Sequence, residues 1–113
     1  MTISEIVRKL NLEVFSRGSG ETEIRGVIVG DLLSFIMAEA RENWAWVTIQ
    51  VHLNVCAVAV LKDVPLVLIA SGRKPARDLA DRCEAEGITL AGTSLSAYEV
   101  SGLLYGMKAG GAA

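Results

Sequence analysis

Apolar residues recur at helical spacing in several parts of this chain and run unbroken in others. Ile3, Ile6, Val7 and Leu10 form one helical stripe, and Thr2 with Glu5 three residues later fits a capping box, so a helix is predicted over 3–10. "LEVFS" is short and partly β-branched or aromatic, and "RGSGETE" is a Gly-rich polar turn leading into "IRGVIVG". Strands are predicted over 12–15 and 24–29. Gly30 turns the chain, and Asp31 is the expected N-cap of "LLSFIMAEAR", whose Leu32, Leu33, Ile36, Met37 and Ala40 share one face. "WAWVTIQ" follows as a buried strand.

The stretch 53–61, "LNVCAVAVL", fits either a buried strand or a fully buried helix. Its alanines, the "KD" after it and Pro65 opening the next apolar run favour the helix. "PLVLIA" is an unbroken apolar strand of the kind covered on both faces, and "SGRKP" ends it. A helix from the first turn at Pro75 to Gly87 carries Ala76, Leu79, Ala80 and Cys83 inward. "ITLAGT" is a last strand, and "LSAYEVSGLLYGM" a last helix with Ser96 and Glu99 in the capping-box pattern. Residues 107–113 are expected to fray as a flexible tail.

The predicted order α-β-β-α-β-α-β-α-β-α implies a single three-layer α/β domain over residues 1–106. Its central sheet is mostly parallel, with helices on both faces. A length of 113 residues suits one core and not two. With 51% hydrophobic and 21% charged residues the chain has enough apolar surface to offset its ordering entropy.

Charge and cysteine usage narrow the function classes. A net charge of -2 offers no general field for neutralising phosphates, which excludes a broad nucleic-acid binder. Cys56 and Cys83 form no CxxC, and the chain has 1 histidine, so neither a zinc site nor a disulfide scaffold is expected. Both cysteines read as buried, reduced thiols. No signal peptide opens the sequence and no apolar run spans a bilayer, so a cytoplasmic protein with no membrane partner is expected. No metal or other cofactor is expected.

In a parallel sheet, ligands bind beyond the carboxyl ends of the strands. The turns that reach this edge are Gly30-Asp31, Gln50 to Asn54, Ser71 to Lys74, and Thr93 to Ser96. Gln50, His52 and Asn54 have two readings. In one, Asn54 or His52 caps the next helix and Gln50 ties down a neighbouring loop. In the other they line a polar pocket or a dimer contact. Ser71, Gly72, Arg73 and Lys74 form the best anion candidate, combining a permissive glycine, two cations and a nearby helix start, although two solvated charges in a surface turn explain the stretch equally well. Thr93, Ser94 and Ser96 add hydroxyls, although Ser96 as a simple cap explains its position equally well. Trp44 and Trp46 read first as core, with a subunit interface as the alternative.

Residues 2–106 resemble the DRTGG domain family, through "GVIVGDLLSFIM", "WVTIQVHLNVCAVAVLKD", "LVLIASGRKP" and "TSLSAYEVSGLLY". The name motif falls most naturally on Glu23-Ile24-Arg25-Gly26-Val27, which lacks the second glycine. The resemblance implies an α/β fold similar to the N-terminal domain of HPr kinase/phosphorylase and to the DRTGG segment of CBS-domain pyrophosphatases. It implies a regulatory or dimer-forming module with catalysis housed elsewhere. The sequence lacks a Gly-x-x-x-x-Gly-Lys-Ser/Thr loop, so kinase chemistry of the HPr-kinase type is not expected. Two functions stand side by side: a non-catalytic module that dimerises and docks on a protein partner, and a sensor of a nucleotide or other anionic metabolite.

Overall fold

The computed structural model describes residues 1–111. Its elements are α1 (Ile3–Lys9), β1 (Glu13–Ser16), β2 (Gly26–Val29), α2 (Leu33–Glu39), β3 (Trp44–Thr48), α3 (Asn54–Leu61), β4 (Leu66–Ile69), α4 (Arg77–Glu86), β5 (Thr89–Gly92) and α5 (Ala97–Gly106). The ambiguous stretch is helical, as its alanines and the proline beyond it favoured. It sinks Val55, Cys56, Val58 and Ala59 against the sheet.

The sheet order is β1-β5-β4-β3-β2. β2, β3, β4 and β5 are parallel and adjacent in chain order, while β1 adds antiparallel to β5 with an irregularity between Val14 and Ser16. Right-handed crossovers that always step in one direction place every connecting helix on the same face. One core accordingly joins Ile36 of α2, Cys56 of α3 and Leu79 of α4 to Trp46 and Ile69. The other joins Ile3 and Ile6 of α1 and Val100 and Leu104 of α5 to Val47 and Leu68. This is the expected three-layer α/β architecture with a mostly parallel sheet.

Both local capping boxes form. Thr2 Oγ1 accepts from Glu5 N at 3.2 Å, and Ser96 Oγ accepts from Glu99 N at 3.1 Å. Two expected caps and one expected helix start do not form. The N-cap of α2 is Leu32, not Asp31, and the N-cap of α3 is Leu53, not His52 or Asn54; neither helix has a side-chain cap. Pro75 stands before the N-cap Ala76 rather than inside the first turn of α4. At the far end of the chain, Lys108 to Gly110 form a turn and Ala109 is fully buried, so this part of the expected tail packs on the domain. Ala112 and Ala113 lie outside the described residues. Among the described residues no helix is long and apolar enough to cross a membrane.

Candidate functional site

The four strand-to-helix corners lie along the carboxyl rim of β2 to β5, each hydrogen-bonded to the next. Asp31 Oδ1 accepts from Thr48 Oγ1 and from Ile49 N, both at 2.8 Å, because the turn after β2 aims its carboxylate at the end of β3. Gln50 Nε2 donates to Asp31 O at 2.9 Å, and Gln50 N donates to Thr48 Oγ1 at 3.1 Å. Below them Trp46 Nε1 donates to Gly30 O at 2.8 Å, which holds the indole in the core with its polar end satisfied. Gln50 is therefore the loop tie anticipated in one of its two readings.

The second corner bonds to the third through Arg73, whose guanidinium donates to Ile49 O at 2.9 Å. Ser71 and Gly72 both take the left-handed conformation, with φ of 62° and 69°. That conformation costs little for glycine and more for serine, and here the surroundings fix it. Ser71 N donates to Leu95 O at 2.7 Å and Gly72 N to Thr93 O at 2.8 Å, which bonds the third corner to the fourth.

Beside that junction is a hollow of about 450 Å³ lined by Gly72, Arg73, Lys74, Thr93 and Ser94 on the rim side and by Asn11, Glu13 and Phe15 on the β1 side. Lys74 Nζ pairs with Glu13 Oε1 at 2.5 Å and lies 5.5 Å from the centroid of the Phe15 ring. Five of the expected site residues thus share one hollow. Gly30, Asp31 and Gln50 belong to the neighbouring network. His52 and Asn54 are exposed beyond it, Ser71 is exposed on the turn, and Ser96 is held by its capping box.

Asn11, Glu13 and Phe15 were missed by sequence reasoning. Their place in the hollow follows from the antiparallel pairing of β1 with β5, which no local pattern encodes. Among the described residues, no group of three His, Cys, Asp or Glu side chains could hold a metal ion.

A second, larger hollow of about 970 Å³ lies where β2 has no neighbouring strand, between that edge and α5, and its lining is mostly apolar. Val27, Val29, Trp44, Tyr98, Leu103 and Tyr105 contribute to it. A signal for it was present in "SAYEVSGLLYG", where both tyrosines fall outside the Val100–Leu104 inner stripe.

The architecture has a counterpart among solved structures. The crystal structure of the CBS and DRTGG domains of the regulatory region of Clostridium perfringens pyrophosphatase, complexed with its activator diadenosine tetraphosphate, superposes with a TM-score of 0.72 at 15% identity. The fold is DRTGG-like. The superposition covers 91% of this chain and 45% of that one, so the DRTGG-like domain described here spans under half of the matched chain. No protein-family model and no curated protein matches the sequence.

Proposed function

We propose that this DRTGG-like domain is a non-catalytic regulatory module that acts by docking on protein surfaces through apolar faces. One observation carries the reading: the rim's polar side chains are largely engaged with one another, whereas the larger hollow is apolar and open. Tyr98, Tyr105 and Leu103 surround it with 89%, 87% and 46% of their surface exposed. Leu32, Phe35 and Leu61 are further exposed apolar side chains on the opposite layer. Contiguous exposed apolar surface on a small domain marks contact sites. The regulatory setting of the C. perfringens relative supports the same reading.

The test compares wild type with Tyr98→Asp/Tyr105→Asp by sedimentation equilibrium and by capture of partners on the immobilised chain. Association that depends on the tyrosines is expected. A strict monomer with no tyrosine-dependent capture refutes the proposal.

A second reading is favoured by the 450 Å³ hollow, which places Arg73, Lys74, Thr93 and Ser94 together. It makes the domain a sensor of a nucleotide or other anionic metabolite, in keeping with the nucleotide activator bound by the relative. Lys74 already has Glu13 as a partner, so an anion must displace that carboxylate. A thermal-shift screen with nucleotides, diadenosine tetraphosphate included, tests it. Ligand at a hundredfold over Kd stabilises by about 2.7 kcal/mol and raises the melting temperature by about 10 °C. No shift with any anion refutes the sensor and leaves the docking reading in place.

A further inference from the structure

The hollow beside the carboxyl rim brings charges of both signs together. Arg73 and Lys74 stand on the rim side and Glu13 faces them from β1, so its walls carry one more positive charge than negative. A plain anion answers only half of that arrangement.

Glu13 and Phe15 form a cradle whose present occupant is one of the chain's own ammonium groups. Lys74 Nζ lies 2.5 Å from Glu13 Oε1 and 5.5 Å from the centroid of the Phe15 ring, so a carboxylate and an aromatic face hold the same cation. The ring's place is built into the sheet. A β-carbon at Gly92 would stand 2.7 Å from Phe15 Cε2, so the missing side chain at the end of β5 is what leaves the ring its room. The side chains of the ion pair are 65% and 58% exposed, and an exposed pair of this kind contributes little. Lys74 can therefore leave the cradle when another ammonium fills it.

The rim wall can hold acid groups. Arg73 uses one guanidinium N–H on Ile49 O, and Thr93 Oγ1 accepts from Leu95 N, so among the described residues further guanidinium N–H groups and the hydroxyl proton are left to donate. Once out of the cradle, the Lys74 ammonium adds to them.

We infer that the hollow binds a small metabolite bearing one ammonium and two negative charges, the chemistry of amino dicarboxylates and amino phosphates. The inference rests on the sensor reading and names its ligand. The ligand's ammonium takes the place of Lys74 against Glu13 and Phe15. Lys74 then joins Arg73, and the two cations meet the two negative charges. The ligand's single net negative charge cancels the single net positive charge of the walls. A plain dianion would leave Glu13 beside it without a partner, and a nucleotide has no aliphatic ammonium to offer the cradle. A volume of about 450 Å³ falls toward the small end of ligand pockets, about 300–1,000 Å³, and suits a metabolite of amino-acid size.

Isothermal titration calorimetry on the full chain at pH 7 tests the inference, with thermal melts confirming that each variant folds. L-glutamate and phosphoethanolamine are the amino-bearing probes and distinguish the two sources of the acid group. Glutarate and inorganic phosphate are their counterparts without the ammonium, and L-alanine lacks the second negative charge. At least one amino-bearing probe is expected to bind about tenfold more tightly than its counterpart and than L-alanine. Glu13→Gln should weaken that probe about tenfold, because the ammonium loses its carboxylate. The same variant should tighten glutarate or phosphate, because Lys74 is then unclaimed. Phe15→Leu should weaken the amino-bearing probe about threefold and leave the counterparts unchanged. If Glu13→Gln loses its fold, Phe15→Leu decides the matter.

Glutarate, phosphate or L-alanine binding as tightly as the amino-bearing probes overturns the inference and leaves the sensor reading standing, as does binding of nucleotides alone. A Glu13→Gln variant that tightens both kinds of probe has the same consequence. Absence of binding by every probe, nucleotides included, removes the sensor reading as well.

Discussion

Replacing Asp31 by alanine removes an acceptor shared by Thr48 Oγ1 and Ile49 N, both at 2.8 Å. Thr48 is 1% exposed, so its hydroxyl keeps the bond it accepts from Gln50 N but loses the only acceptor for its own proton. A buried donor left unsatisfied costs about 1–3 kcal/mol. Ile49 N is nearer to solvent, turns to water and costs about 0.5 kcal/mol. The carboxylate itself is exposed, so loss of its charge adds little.

The expected destabilisation is about 2.5 kcal/mol, which for a chain of this length lowers the melting temperature by about 10 °C. Urea unfolding followed by tryptophan fluorescence measures it, and the denaturant midpoint should fall without a change in slope. Asp31→Asn keeps the accepting oxygen and should cost less than half as much. Combining Asp31→Ala with Thr48→Val should recover about 1–2 kcal/mol of coupling, because the orphaned hydroxyl is then gone. A cost for Asp31→Ala below about 0.5 kcal/mol, or strict additivity with Thr48→Val, would refute the claim that this carboxylate fastens β2 to β3.

Ser96→Ala removes the cap of α5 and should cost about 1 kcal/mol by chemical denaturation; no loss would show that Glu99 alone holds the helix start. Burial pushes the Cys83 thiol up to about 12, aided by its neighbour Cys56, whose thiol burial also raises. Both thiols should resist an aromatic disulfide reagent at pH 8 and react only as fast as the protein unfolds; prompt labelling of the native state would refute this burial. Because the folded state holds the Cys83 proton more tightly, its contribution is complete below the unfolded value near 9.0 and declines as pH rises from there toward 12. A pH titration of the urea midpoint reads that decline, and a midpoint flat over this range would count against it.

Features specified within a few residues were legible in the sequence. Thr2 with Glu5 and Ser96 with Glu99 read correctly because a capping box closes over three residues, and Gly87 because its left-handed turn ends α4 locally. Asp31 was misread because its position fits a cap while its oxygen is claimed by Thr48, 17 residues away. His52 and Asn54 were misplaced as caps for the opposite reason: the backbone bond from Val55 N to His52 O closes the start of α3 without them. The rim could be assembled from strand-helix alternation alone. The hollow beside it could not, since one side of its wall comes from β1 and the turn before it, and the antiparallel seat of β1 on β5 depends on the whole sheet. Lys74 was legible as a cation and illegible as the partner of Glu13, 61 positions earlier.

The seat of β1 also bears on the order in which the molecule assembles. Strands β2 to β5 zip up neighbour by neighbour, each step closing only a short crossover. The amino-terminal strand must wait for the last of them, and Ser16 Oγ then bridges Ile88 O and Leu90 N across 72 and 74 positions. Closing a loop of that size costs about 4 kcal/mol of chain entropy before any contact rewards it. β1 is therefore expected to dock late, and until it does, the β5 margin stands bare as a temporary point of vulnerability to mispairing.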